Sequence, residues 1–427
     1  MSDAAFESAE DFARRLDRED PLARFREQFH IPLTESGEAC IYLCGNSLGL
    51  QPKKARGYIE QELDRWARLG VEGHFRGQHS WMPYHELLTE PTGRLVGALP
   101  HEVVVMNSLT VNLHLMMASF YRPTPDRFKI LIEGGAFPSD QYAVTSQAEF
   151  HGYDPKEAVV GLRSRSGEDC LRAEDILSTI EREGRSIALI LLGNPNYFTG
   201  QTFDIAAITQ AGHAKGCRVG FDLAHGAGNL LLKLHEWGPD FAVWCCYKYL
   251  NAGPGAVAGC FVHEHHARDL NLPRFAGWWG HNKETRFEMK PGFDPIPGAD
   301  GWQLSNAPIL QMASLRASLE LFDEAGMPEL RKKAGRLTGY LEYLLDQLPG
   351  NRFRIITPRD PAQRGSQLSL QVPMGSGRRL LAGLERAGVI CDYREPDVIR
   401  AAPVPLYNSF LDVWRFVNTL SETQAIE

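Results

Sequence analysis

Apolar positions follow two textures along the chain. Between about residues 56 and 310, short apolar or β-branched runs alternate with longer amphipathic stretches: Val103 to Asn107, Phe128 to Ile132, Ala188 to Leu192, Arg218 to Asp222, Phe241 to Tyr247 and Ala256 to Val262. The alternation predicts a mostly parallel sheet with helices on both faces. The first five runs are apolar along their length, as expected of strands covered on both sides. From about residue 311, Leu330, Ala334, Leu337, Leu341, Leu344 and Leu348 keep a helical period, and the strand candidates Phe353 to Ile356 and Leu368 to Val372 are each expected to lead into a helix. Three parts result: an N-terminal segment, 1–55, with a helix and the loop Gly45-Asn46-Ser47-Leu48-Gly49; a large domain, 56–310; and a smaller C-terminal α/β domain, 311–427, reached through a long helix.

With 427 residues, of which 43% are hydrophobic and 23% charged, the chain has the make-up of a folded globular protein and is long enough for more than one core. Its 45 Lys and Arg against 53 Asp and Glu leave a net charge of −8, which argues against a nucleic-acid or anionic-membrane binder. The longest apolar stretches fall short of the ~20 residues that cross a bilayer. The acidic start (Asp3, Glu7, Glu10, Asp11) lacks the basic and apolar regions of a secretory signal. Eight cysteines without CxxC spacing suit reduced, buried thiols. The cytoplasm is the expected compartment.

In parallel α/β architectures, ligands collect at the carboxyl ends of strands, so the informative residues are those just after each apolar run. Asp222 ends one run, with His225 three residues on. Read alone, the pair is a helix-capping Asp and a satisfied His. Twenty-six residues later, Lys248 closes the run Phe241 to Tyr247. A lysine so placed either snorkels or, when desolvated, is the residue type that forms Schiff bases with carbonyl cofactors. An acid and a lysine ending two strands meet the needs of pyridoxal 5'-phosphate: a carboxylate on the pyridine nitrogen and an amine on the aldehyde carbon. A close ion pair there would hold the Asp222 carboxyl low. The segment Asn107 to Asn112, between a strand and a helix, offers free N–H groups and the Thr110 hydroxyl to a phosphate, although simple capping explains it equally well.

Six ordered blocks carry a family resemblance: Cys44 to Lys53, Phe137-Pro138-Ser139-Asp140, Phe221 to Asn229, Tyr247 to Asn251, Gly277 to His281 and Arg400 to Phe410. Together they resemble the kynureninase family, and they span nearly the whole chain. The resemblance implies a fold-type I pyridoxal-phosphate enzyme, a homodimer with active sites at the subunit interface. Such an enzyme hydrolyses L-kynurenine to anthranilate and L-alanine in tryptophan degradation or NAD biosynthesis. The choice between L-kynurenine and 3-hydroxy-L-kynurenine (yielding 3-hydroxyanthranilate) stays open, because a single ring hydroxyl is discriminated by several loops.

Carried over to these positions, Lys248 is the Schiff-base lysine and Asp222 the pyridine-nitrogen partner, with His225 beside it. Leu109, Thr110 and Tyr247 resemble phosphate-side contacts, and Tyr247 doubles as a candidate acid for the β-carbon. Phe137 resembles the ring-stacking aromatic, with Pro138, Ser139 and Asp140 in the same cofactor-binding block. Trp278 and Asn306 match positions that reach the cofactor from the neighbouring subunit. Arg400, by itself a candidate for a structural salt bridge, becomes the expected clamp for the substrate carboxylate. Ser47 and His74 are expected to line the substrate pocket. Where several relatives place a small hydroxyl residue, this chain has the turn Gly193 to Gly200. Other patterns point elsewhere less well: Gly253-Pro254-Gly255 does not open a helix after a strand, and His263-Glu264-His265-His266 lacks the zincin histidine pair and reads as solvated surface, so no metal is expected. Within the fold type, a desulfurase would need a mobile nucleophilic cysteine, and the C-terminal Cys391 reads as strand.

Overall fold

The computed structural model describes residues 6–269, 271–350 and 353–425. Seven strands form the large sheet: β1 (Val103–Met106), β2 (Lys129–Glu133), β3 (Val159–Leu162), β4 (Ile187–Gly193), β5 (Arg218–Asp222), β6 (Phe241–Cys245) and β7 (Ala258–Val262). They lie side by side in the order β1, β7, β6, β5, β4, β2, β3. Among the described strands of this sheet, only β7 runs antiparallel to its neighbours. All six apolar runs are strands. The edge strand β3 is an addition: its Val-Val-Gly-Leu is short, half-buried and broken by glycine, so its pattern is weak.

Successive strand residues enter different cores because side chains alternate across a pleat. Val103, Leu131, Ile190, Val219, Phe221 and Trp244 pack with the Glu86–Val96, Ala173–Glu183, Ile205–Ala214 and Ile309–Ala325 helices. Val104, Ile130, Leu189, Leu191 and Val243 pack on the other face with the Leu109–Phe120 and Pro138–Phe150 helices.

A second sheet of four antiparallel strands holds Arg354–Ile355, Leu368–Gln371, Val398–Ala401 and Asp392–Arg394, in that order. The Arg354–Ile355 strand does not lead into a helix as expected. It passes through a loop with one short 3-10 turn to its antiparallel partner Leu368–Gln371. The single long helix predicted at the junction is two helices, Ile309–Ala325 and Met327–Asp346, separated by Gly326 at φ 75°, a left-handed value that glycine adopts freely. The helical leucines lie on the second of these, with Leu348 just past its end.

The N-terminal Glu10–Arg18 helix buries Phe12, Ala13 and Leu16 in the same core as Leu337, Tyr340, Leu370, Val413 and Phe416. Ile41–Tyr42 pairs in parallel with Val389–Ile390. The first segment of the chain is thus shared between the two cores, with Leu22, Phe25, Phe29 and Leu50 packed in that of the large sheet. All eight cysteines are free thiols.

Candidate active site

The chemistry-bearing residues converge where sequence reading places them, at the carboxyl ends of the parallel strands. Glu133, Gly193 and Asp222 end β2, β4 and β5, and Lys248 follows β6 by three residues. With Leu109, Thr110, Phe137, Ser139, Asp140, His225 and Tyr247 they line a single cavity of mixed polar and aromatic character, as small-molecule sites are. One end of the cavity is made by two helix N-termini. Ser108 precedes the Leu109–Phe120 helix in an extended conformation without capping through its side chain, and Thr110 Oγ1 meets Ser139 Oγ, from the first turn of the Pro138–Phe150 helix, at 3.0 Å. Unsatisfied N–H groups and two hydroxyls at converging helix starts suit an anion.

At the other end Lys248 Nζ lies 3.1 Å from His225 Nε2 and within 6 Å of the Phe137 and Tyr247 ring centroids, at 5.8 and 5.9 Å. Burial, with Lys248 and Arg400 nearby, holds His225 well below the usual histidine range. The neutral imidazole therefore accepts from Lys248 at Nε2 and carries its own proton on Nδ1, which is buried and has no partner in the polypeptide.

Asp222 accepts the Ala224 N–H at 2.7 Å. Burial pushes its carboxyl up, and the charge of Lys248 opposes this incompletely. Asp140, buried beside Asp222, is raised well above the usual carboxylate range by burial and by the Asp222 charge. Burial also raises the Tyr247 phenol, which stays protonated at neutral pH.

Six expected residues stand outside this cavity. Pro138 is the exposed first residue of its helix. Trp278, with its indole N–H donating to the Arg286 carbonyl at 3.2 Å, and the exposed Asn306 both lie away from the cavity of their own chain. His74 packs edge-on against Trp81, with ring centroids 5.2 Å apart. Ser47 is bonded to Asp392 and Arg400. Arg400 itself is buried and adjoins the cavity through Tyr197, whose carbonyl accepts its Nη1 at 2.7 Å; its Nη2 pairs with Asp392. The structural ion pair that sequence reading set aside is therefore present.

Sequence reading missed Glu133. The signal was available, since Glu133 directly follows the run Phe128 to Ile132, as Asp222 closes its own. The histidine-rich segment is also corrected: His263 and His266 are buried rather than solvated. His266 Nε2 meets Asp240 at 2.8 Å, and His263 Nε2 donates to the His235 carbonyl at 3.2 Å. Glu102, His235 and His263 place three donor atoms within 4.8 Å of one another. Both Glu102 oxygens already take main-chain N–H groups, from Leu99 and Glu264, and His263 Nδ1 takes that of His265, so these lone pairs are spent on folding.

Residues 330–420 match the kynureninase C-terminal domain family. The chain is 66% identical over 415 residues to the kynureninase of Myxococcus xanthus, covering 97% of each, and 64% identical over 417 residues to that of Koribacter versatilis, covering 98% of each. Among solved structures it resembles the cysteine desulfurase of Thermococcus onnurineus, with a TM-score of 0.76, 16% identity, and 94% and 97% coverage of this chain and that one. It also resembles C-DES with glycine covalently linked to its PLP cofactor, with a TM-score of 0.77, 19% identity, and 93% and 99% coverage. These two establish the fold-type I architecture. Identity at this level over nearly the full length makes the chain a member of the kynureninase family.

Proposed function

We propose that this protein hydrolyses L-kynurenine to anthranilate and L-alanine with pyridoxal 5'-phosphate. The observation that carries the reading is the cavity in which Lys248 and Asp222 face one enclosed space whose far end is a pair of helix N-termini. The donor set fits the cofactor, and two buried polar atoms at this cavity, His225 Nδ1 and Asp140 Oδ1, have no partner in the polypeptide. When bound, pyridoxal phosphate supplies an electron sink for the pair released at the substrate carbons.

The chain's own residues then have distinct tasks. Lys248 Nζ holds the cofactor and, once freed, moves the proton of the substrate α-carbon, with neutral His225 at 3.1 Å to share it. Asp222 would set its carboxyl against the pyridine nitrogen, with the buried Asp140 beside it. Thr110, Ser139 and the Leu109 N–H would hold the phosphate, and Phe137, with Pro138 starting its helix, would cover the ring. Tyr247, whose phenol is protonated, gives a proton to the departing β-carbon. Arg400, steadied by Asp392, Ser47 and Tyr197, grips the α-carboxylate, and His74 borders the aryl end of the substrate.

Trp278 and Asn306, which face away from their own cavity, complete that of a second copy, making the enzyme a homodimer. Among the described residues no helix is long and apolar enough to cross a membrane, and the free thiols suit the reducing cytoplasm as its site of action. A desulfurase reading fails on Cys391, the cysteine of the small sheet's core, because it is buried and burial pushes its thiol far up.

The test is direct. Purified protein supplied with pyridoxal phosphate and L-kynurenine releases fluorescent anthranilate, and Lys248→Ala loses both turnover and the visible absorbance of the bound cofactor. Cofactor-loaded wild type that forms no anthranilate would refute the assignment. A kcat/KM comparison of L-kynurenine with 3-hydroxy-L-kynurenine decides the substrate preference.

A further inference from the structure

Glu133 is almost fully buried, yet both of its hydrogen-bond partners are neutral. Its Oε2 accepts the Gly193 N–H at 2.7 Å and its Oε1 accepts the Asn196 side-chain N–H at 3.0 Å. A carboxylate desolvated in exchange for two neutral donors is a poor stabilising device, and burial accordingly pushes its carboxyl up to about 7. Fold stability therefore gives no reason for an acid here. The reason lies in what Asn196 does with its other atom.

Asn196 Oδ1 accepts from the Phe198 N–H at 3.0 Å, the Thr199 N–H at 2.9 Å and the Thr199 hydroxyl at 3.1 Å, so one side chain shapes the whole turn that follows β4. The carbonyls of that turn reach across to the small sheet. Tyr197 accepts Arg400 Nη1 at 2.7 Å and Gln367 at 3.1 Å, Phe198 accepts the Ser369 hydroxyl at 2.6 Å, and Thr199 accepts the Thr357 hydroxyl at 2.6 Å. The Tyr197 ring meets Phe137 edge-on at 5.2 Å. The turn is thus tied at its base to the large sheet by the Glu133 carboxylate and by the Asn194 N–H on the Asp222 carbonyl at 2.8 Å, and carries at its tip the carbonyl that meets the arginine.

We propose that Glu133 is a positioning residue for substrate-carboxylate recognition: through Asn196 and the Tyr197 carbonyl it sets where the Arg400 guanidinium stands relative to the cofactor seat. The inference rests on the assignment of Arg400 above. Glu133 itself touches neither reacting carbon. It acts two hydrogen bonds away, and its influence falls on ligands that carry a carboxylate.

The test uses the cofactor-loaded enzyme and two ligands, L-kynurenine and kynuramine, the same aryl ketone amine without the α-carboxylate. Glu133→Gln keeps the shape but leaves one acceptor for two donors, so its amide N–H opposes either the Gly193 N–H or the Asn196 amide; Asn196→Asp sets a second carboxylate against the first. Each single variant is expected to raise KM for L-kynurenine about tenfold and to weaken L-alanine binding, read by calorimetry, by a similar factor, while the inhibition constant of kynuramine stays within about twofold. The double variant Glu133→Gln/Asn196→Asp restores a donor facing an acceptor with the roles exchanged, and it is expected to recover most of the lost affinity. Melting temperatures of all three variants separate this effect from misfolding, and the exchange test holds even where a single variant folds poorly.

Equal loss for both ligands, no loss for either, or a double variant no better than the singles overturns the proposal. Arg400→Ala is the control that separates the two levels. If it fails to discriminate the two ligands, the Arg400 assignment falls. If it discriminates and Glu133→Gln does not, only the role of Glu133 falls.

Discussion

Gly220, two residues before Asp222 on β5, offers a prediction that stands independently of the reaction. It pairs with Phe241 across the β5–β6 ladder, and the Phe241 ring folds over it. A Cβ added at Gly220 would meet three carbons of that ring, of which even the farthest, Cε2, is 2.5 Å away. Ordinary carbon contacts begin near ~3.5 Å, so the ring must retreat by about 1 Å. It has nowhere to go: Phe241 is fully buried and stacked on Phe120 at 5.2 Å, and Phe120 in turn stacks on Trp302 at 6.4 Å. Close-packed interiors answer such overlap with strain, typically about 1–3 kcal/mol, and this site belongs at the upper end of that range. At about 1–2 °C per kcal/mol for a chain of this length, Gly220→Ala lowers the melting temperature of the cofactor-free protein by roughly 3–6 °C. Because the displaced strand carries Asp222, cofactor affinity falls as well. Adding Phe241→Leu removes the overlapping ring edge and restores part of the loss. Thermal unfolding of the three proteins, followed by circular dichroism, checks the sequence of values; a Gly220→Ala melting temperature within a degree of wild type would refute the packing argument.

Two more outcomes can be measured on the same material. The Glu133 carboxyl is raised from 4.5 to about 7 by burial, so the folded state holds a proton that the unfolded state has released; the stability it contributes is complete below about pH 4.5 and is lost as the pH rises to 7, by about 3 kcal/mol. The melting-temperature difference between wild type and Glu133→Gln therefore shrinks or reverses in favour of Gln across that window, and a constant difference from pH 5 to 7.5 would sink the linkage. Lys333 and Asp20 form a buried ion pair at 2.7 Å, so Lys333→Met leaves an uncompensated buried carboxylate and costs about 3–5 kcal/mol. Limited proteolysis should then cut near the N-terminal helix well before the large sheet, and uniform resistance would count against the role of this pair.

Much of the site was legible because catalysis in a parallel sheet puts chemistry just past the apolar runs. Asp222 and Lys248 stand out as charged residues closing apolar strands, and the same rule applied to Phe128 to Ile132 would have named Glu133. The histidines at 263 and 266 were misread because burial is a property of neighbours: Asp240, which receives His266, lies 26 residues away in the chain. Arg400 shows the same limit. Its residue type announces anion recognition, but whether the anion is Asp392 or a ligand depends on where the Gly193 to Gly200 turn holds it.

The sequence by itself determined the strand and helix periods, the ends at which function collects and the family to which the chain belongs, because periodicity and residue type are local quantities. Only the tertiary structure decided which acids share one cavity, in which direction burial shifts them, and which turn's carbonyl meets the arginine. Desolvation and electrostatic coupling depend on distances between residues far apart in the chain, and those distances exist only once the two sheets have closed around the Gly193 to Gly200 turn.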